Sequence, residues 1–285
     1  MPELPEVEVL VRHLRDVLPG RRILEVAVHR PRILRPTSVF ALRDTLRGSR
    51  IRNIDRRGKY LVFDLERDGH GRVPVQLLGH LGMSGRLWLL PRETPAPRHS
   101  VVEMILDTGR LILEDPRGFG RLTLDLRPLE SLGPEPLGPR FTTESFRRAL
   151  RRSRQAIKLL LLNQTVAAGV GNIYASEALF RARIHPATPA MRLRHPQVAA
   201  LRCSIRAVLR DAIAWGSTVP LNWTGVGSSD RLFYFGRDPS AQDRSEERLR
   251  VYDRAGQPCP RCRTAVRRLI QGARSTFFCP ACQRR

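Results

Sequence analysis

The sequence predicts an α+β protein in which one helix and a run of short strands precede a helical segment and a Cys-bounded module. Three observations carry this. Val7, Leu10, Val11, Leu14, Val17 and Leu18 recur at helical spacing directly after the opening prolines. From Arg22 to about Leu126, short alternating or β-branched runs sit between Gly, Pro and Asp turn signals, the pattern of a β-sandwich or barrel. Beyond a stretch with three prolines and two glycines (Ser131–Arg140) the periodicity turns helical, and residues 251–285 hold two Cys-x-x-Cys pairs.

The elements follow in order. The spacing predicts a helix over 3–18, with proline and acids in its first turn and Pro19-Gly20 as its stop. Strands are predicted over Ile23–Val28, Lys59–Leu65, Val73–Leu78, Arg86–Leu90, Val101–Leu106, Arg110–Leu113 and Arg121–Leu126, with a short helix at 38–47. Past the linker, Thr142 or Thr143 caps a helix over 144–152. Further helices are predicted over 155–163, 173–182 and 196–215, the last ended by Gly216, and 217–250 reads as a long loop. The domains are therefore expected at 1–130, 131–250 and 251–285.

Composition speaks of partners. The 50 Lys+Arg against 27 Asp+Glu give a formal charge of +23, which favours polyanions such as nucleic acid or an acidic membrane; an Arg-rich coding bias is the plain alternative. Only two of the basic residues, Lys59 and Lys158, are lysine. A hydrophobic content of 41% suffices for packed cores. No stretch approaches the ~20 apolar residues that span a bilayer. Glu3, Glu6, Glu8, Arg12, Arg15 and Asp16 leave no apolar signal-peptide core. With cysteines clustered in pairs, a reducing, cytoplasmic setting is expected, and a monomer.

Cys259-x-x-Cys262 and Cys279-x-x-Cys282, 16 residues apart, match a four-thiolate site for one structural zinc; a redox dithiol or two disulfides are the competing readings. So short a segment cannot bury enough apolar area to fold alone, and metal binding supplies that free energy. Between the pairs lie Arg267, Arg268, Gln271, Arg274, Ser275 and Thr276 with Phe277 and Phe278: a basic hairpin suited to phosphates. Cys203, beside Leu201, Ile205 and Val208, is expected to pack in the core.

Pro2 follows Met1, and removal of the initiator methionine would expose a secondary amine beside Glu3 and Glu6. An α-amine titrates near pH ~8, so a useful fraction is neutral and able to attack a sugar C1′ or a carbonyl. The neighbouring carboxyls could move protons. Proline and acids at a helix start also serve as simple capping.

Seven segments, in order, resemble the formamidopyrimidine-DNA glycosylase family. They are Met1–Glu8 (MPELPEVE), Gly58-Lys59-Tyr60-Leu61, His80–Gly85 (HLGMSG), Asp115–Gly120 (DPRGFG), Leu132–Leu137 (LGPEPL), Ala168–Phe180 (AGVGNIYASEALF) and the terminal ribbon with Arg274-Ser275-Thr276. The resemblance implies a β-sandwich domain led by the Pro helix, a helix–two-turns–helix domain and a zinc ribbon. It also implies damaged double-stranded DNA as partner, excision of oxidised purines, chiefly 8-oxoguanine and formamidopyrimidines, and strand cleavage at the abasic site.

On the matched positions, Pro2 would be the Schiff-base nucleophile and Glu3 the proton donor. Lys59 would contact phosphate and assist proton transfer, a task for a titratable point charge rather than Arg. Arg274 would grip phosphates and serve δ-elimination. Met83, Arg117 and Phe119 match wedge residues that fill the stack vacated by an everted base. Asn172, His99 and Arg154 match DNA-contacting positions, the first in a Gly-rich turn whose helix-start N–H groups would bind phosphate. Glu6 and Glu177 fall near the expected lesion pocket. His13, His29 and His195 lack a partner pattern.

Two departures stand out. Gly118 occupies a position where many relatives carry a second Arg. The segment 217–250, with Trp223, Phe233, Tyr234 and Phe235, does not resemble the usual lesion-capping loop. Rival readings are an endonuclease VIII-type enzyme for oxidised pyrimidines, a non-catalytic damaged-DNA-binding protein, and a zinc-ribbon transcription or RNA-binding factor.

Overall fold

The computed structural model describes residues 2–67, 74–216 and 249–284. The long loop expected at 217–250 falls almost wholly outside them, as do its four aromatic residues. Two compact units divide the chain between Glu130 and Ser131, and Glu3–Pro5 group with the second.

In the first unit, helix α1 (Leu4–Val17) is followed by β1 (Ile23–Val28), a 3-10 turn (Pro31–Leu34) and α2 (Val39–Leu46). Strands β2 (Ser49–Arg57), β3 (Tyr60–Arg67), β4 (Pro74–His80), β5 (Arg86–Leu90), β6 (Ser100–Leu106), β7 (Arg110–Glu114) and β8 (Arg121–Thr123) follow, then a short α3 (Arg127–Glu130). They form two antiparallel sheets, ordered β1-β6-β7-β5 and β2-β3-β4-β8. Val7, Leu10, Val11 and Leu14 from α1 share one core with Val26, Ile54, Phe63, Leu77, Val102 and Leu113, so both sheets bury one face against the same interior.

The sequence reading misses β2. Its text, SRIRNIDRR, carries little alternation because the register slips between Ile51 and Asn53, and the bulge puts Ile51 and Ile54, three apart, on the same buried side.

In the second unit, α4 (Thr143–Arg151) is capped by Thr142, whose hydroxyl accepts from Ser145 N at 3.0 Å. Then come α5 (Ile157–Leu161), α6 (Asn172–Arg181), a 3-10 turn (Ala190–Arg192) and α7 (His195–Ala214). Leu4, Phe141, Phe146, Ile157, Leu179, Leu201 and Leu209 belong to their shared core. A hairpin of β9 (Arg267–Gln271) and β10 (Arg274–Phe278) follows, with Val251, Val266 and Phe277 in a small core of the module together with Phe180 of α6.

Cys203 is exposed, contrary to the packing expectation. At ~100° per residue it lies on the opposite side of α7 from Leu201 and Ile205, which are buried.

Candidate functional site

In the second unit the site is built around the start of α6. Leu4 N donates to Gly169 O at 3.0 Å, bringing the beginning of the chain against the turn that leads into the helix. Gly169 stands at φ +85°, and a Cβ there would lie 2.6 Å from that of Leu4. A Cβ on Gly171 would lie 2.3 Å from Glu3 Cδ. The two glycines therefore make room for the chain's own N-terminal residues. The buried Glu3 carboxylate accepts from Ile173 N (2.9 Å) and Tyr174 N (3.4 Å), placing its oxygens at the positive end of the helix. The anion at this helix start is thus an internal carboxylate, where the sequence suggested phosphate. Gly171, not Asn172, is the N-cap residue.

Asn172 instead ties two elements together. Its Oδ1 accepts from Lys158 Nζ at 2.7 Å and its Nδ2 donates to Ser275 O at 3.0 Å. Lys158, fully buried on α5, also donates to Thr276 Oγ1 at 3.0 Å. Burial pushes its pKa down to about 8; the Glu3 carboxylate opposes that shift and the Arg274 charge adds to it. Arg274 is exposed at the head of β10, paired across the hairpin with Gln271. Glu3, Lys158, Asn172 and the Arg274 strand thus form one connected cluster. Lys158 is not among the expected site residues, although it carries the same signal as Lys59: a lysine kept in a chain of arginines.

Glu177, further along α6, is buried, and its carboxylate accepts from Arg250 N (3.0 Å), Val251 N (2.9 Å) and Tyr252 N (2.8 Å). Burial raises its pKa, while the three N–H donors pull the other way. It borders a cavity of about 410 Å³, also lined by Tyr174, Phe180, Trp215, Leu249 and Arg261. Arg154 is exposed ahead of α5.

The four ribbon cysteines are free thiols, with their sulfurs all within 4.8 Å of one another. Tetrahedral thiolates at ~2.3 Å from zinc stand ~3.8 Å apart, so the set fits one ion. Arg261 N and Cys282 N each donate to a ligand sulfur, Cys259 Sγ and Cys279 Sγ, at 3.4 Å. Cys259, Cys262, Cys279 and Cys282 form the site of one structural zinc.

In the first unit, Lys59 follows Gly58 (φ +59°) in the β2–β3 turn and is 6% exposed. Tyr60 lies opposite His80, and His80 opposite Arg121, at the same end of the sheet. Burial, then the charges of Lys59 and Arg121, push the His80 pKa down to about 4. The neutral ring accepts from Gly82 N at Nδ1 (3.1 Å), which leaves the proton on Nε2. Glu6 is buried on α1.

Two abutting turns carry Met83 and Arg117 with Phe119. Gly82, at φ +60°, has room only for hydrogen: a Cβ would come within 2.5 Å of the Phe119 carbonyl carbon. Buried Asp115 locks both turns, accepting from Ser84 Oγ (2.7 Å), Arg117 N (3.2 Å) and Gly120 N (2.6 Å). Its own N–H donates to His99 O at 3.0 Å. Met83 and Phe119 are about half exposed, and the Arg117 guanidinium carbon lies 5.0 Å from the Phe119 ring centre. Two exposed apolar side chains are thus presented on a rigid base.

Three family models match in sequence. The formamidopyrimidine-DNA glycosylase N-terminal domain covers residues 1–122, the formamidopyrimidine-DNA glycosylase H2TH domain 132–221, and the zinc finger found in FPG and IleRS 256–285. The formamidopyrimidine-DNA glycosylase of Chloroflexus aurantiacus is 43% identical over 99% of this chain and 98% of its own. That of Thioalkalivibrio sulfidiphilus is 40% identical with both chains fully covered. Among solved structures, a complex of the Lactococcus lactis protein with a THF-DNA and an inhibitor matches at TM-score 0.86 and 33% identity over the whole of both chains. A complex of the same protein with abasic-site DNA matches at 0.85 and 33%, over 99% of this chain and 100% of that one. Taken with an N-terminal carboxylate seated on a helix start, two Gly-built turns bearing exposed apolar residues and a four-thiolate ribbon, these matches show that the chain belongs to the formamidopyrimidine-DNA glycosylase family.

Proposed function

We propose that this chain is a base-excision repair enzyme, a bifunctional DNA glycosylase and abasic-site lyase that removes oxidised purines, 8-oxoguanine and formamidopyrimidines, from duplex DNA. The single observation that carries the reading is the seating of Glu3. Its carboxylate is fixed by two backbone N–H groups, next in sequence to Pro2, and its cluster extends through Lys158 and Asn172 to the Arg274 strand. Such fixed geometry is what proton transfer at a reacting sugar requires.

Once Met1 is removed, the Pro2 amine attacks C1′ of the damaged nucleotide and gives up its N–H proton, and the base leaves with the bonding pair and takes up a proton. Cleavage of the C1′–O4′ bond, with a proton to O4′, then opens the sugar and leaves an iminium at C1′. The resulting iminium loses the 3′ phosphate by β-elimination and the 5′ phosphate by δ-elimination, leaving a one-nucleotide gap. Glu3 supplies protons for base loss and ring opening. Lys59 and Arg274 hold phosphates, Arg274 assisting the second elimination, and His99, Arg154 and Asn172 add contacts along the backbone. Met83, Arg117 and Phe119 fill the space of the everted base. Glu6 and Glu177 shape the surroundings of the lesion, Glu177 through the backbone of 250–252. The zinc holds the ribbon and takes no part in the chemistry. The protein acts as a monomer in the cytoplasm, on chromosomal DNA; no helix among the described residues is long and apolar enough to cross a membrane.

Borohydride trapping on a duplex containing one 8-oxoguanine or one abasic site tests the reading. A covalent adduct that disappears in Pro2→Gly is expected. Binding without an adduct on either substrate would sink the lyase assignment in favour of a DNA clamp. Much faster cleavage of thymine glycol than of 8-oxoguanine would favour the pyrimidine-directed enzyme.

A further inference from the structure

Gly118, in the turn that bears Arg117 and Phe119, adopts φ +67°. The space beside it is met by two guanidinium groups: a Cβ there would lie 3.7 Å from Arg32 Nη2 and 3.8 Å from Arg30 Nη1. Both arginines are exposed and come from the segment after β1, where Pro31 opens the 3-10 turn. Arg30 Nη1 donates to Asp115 O (3.2 Å) and, more weakly, to Pro116 O (3.5 Å), while Arg121 Nη1 donates to Arg32 O at 3.2 Å. Segments 85 residues apart in sequence thus hold each other at the turn.

The charge here is not neutralised locally. Asp115, the nearby carboxylate, is wholly buried and accepts from Ser84, Arg117 N and Gly120 N. Among the described residues no carboxylate forms an ion pair with Arg30, Arg32, Arg117 or Arg121. An exposed group of arginines beside two exposed apolar side chains suits a phosphate backbone whose bases those side chains enter. A guanidinium has five N–H donors, so bonds to two turn carbonyls leave others for an anion.

We propose that Arg30, backed by Arg32, is the phosphate-binding residue of this wedge turn. It delivers from the β1 side the charge that position 118, a glycine, does not carry, and its bonds to the Asp115 and Pro116 carbonyls fix where the charge stands. The proposal rests on the reading of Met83 and Phe119 as a wedge, and it names a DNA contact outside the seven matched segments.

The test measures affinity for a duplex with one abasic-site analogue as NaCl is varied, using full-length protein. Arg30→Ala should bind about five- to tenfold more weakly, and its log K against log salt should be shallower by about 0.9, the value for one lost phosphate contact. Arg30→Lys should keep the parental slope. Arg30→Ala with Gly118→Arg, which returns the charge to the turn, should recover the slope; no recovery at an unchanged melting temperature overturns the assignment of the charge to this turn. A parental slope in Arg30→Ala overturns the proposal outright, because a purely structural bond to the turn would not carry a counterion. Borohydride adducts at saturating protein should form in all variants; their absence in the parent itself would count against the lyase function and not against Arg30.

Discussion

His80 is neutral in the folded chain down to a pH of about 4, whereas an unfolded histidine takes up its proton near 6.5. Between these values the unfolded chain binds the extra proton, so stability falls as pH drops from 6.5 toward 4 and levels off beneath. Lys158 is also depressed, to about 8, but as a base normally protonated to 10.5 its cost is present at neutral pH and is relieved only as pH rises from 8 to 10.5. His80→Gln should therefore lose less stability than the parent between pH 7 and pH 4.5. Urea unfolding at the two values reads this, and an identical loss in both proteins would show that His80 is not held neutral. The same lowered pKa keeps a third positive charge away from Lys59 and Arg121 at physiological pH.

At the scale of elements, the turn Gly169-Val170-Gly171 and helix α6 work as a socket for the start of the chain. Gly171→Ala should push the Glu3 carboxylate off the Ile173 and Tyr174 N–H groups, because the new methyl would lie 2.3 Å from Glu3 Cδ. A displacement of about 1 Å at a reacting centre costs on the order of 100-fold in rate, and overpacking costs about 1–3 kcal/mol of stability. Single-turnover cleavage of an 8-oxoguanine duplex and a thermal melt give the two readings; parental rate and melting temperature together would refute the socket. Much of this architecture was legible beforehand. The helical period of Val7, Leu10, Val11 and Leu14 reflects burial against one shared core, which sequence records directly. What escaped depends on contacts remote in sequence. The β2 bulge masks alternation, Gly171 answers to a side chain 168 positions earlier, and Arg30 matters only because the DPRGFG turn folds onto it. The Glu177 carboxylate, at the edge of the cavity, is held by three backbone N–H groups more than 70 residues downstream, which its place in a motif does not reveal.

For the whole molecule, the +23 charge divides into two kinds of arginine. Some spend their donors internally: Arg202 Nε donates to Phe141 O at 2.6 Å, and Arg206 Nη1 to Pro136 O and Gly138 O at 2.8 and 3.1 Å, pinning the proline-rich linker to α7. Others, such as Arg267, Arg268 and Arg274 on the hairpin, are exposed and available to phosphate.

The zinc decides whether that second group is presented. The hairpin module has a small apolar core around Val251, Val266 and Phe277, too little to order it without metal, while the first unit has a core of its own. β10 also carries Thr276 and Ser275, the partners of Lys158 and Asn172, so loss of the metal reaches the Glu3 cluster as well as Arg274. Removal of zinc by a strong chelator with a thiol-reactive reporter should release one ion per chain and weaken binding to an abasic-site duplex at least about tenfold. The salt dependence should become shallower as exposed arginines leave the DNA. The melting transition of the β-sandwich should persist, because its core does not include the ribbon. Zinc release with unchanged DNA affinity would contradict the ribbon's role, and collapse of both units together would contradict the independence of their cores.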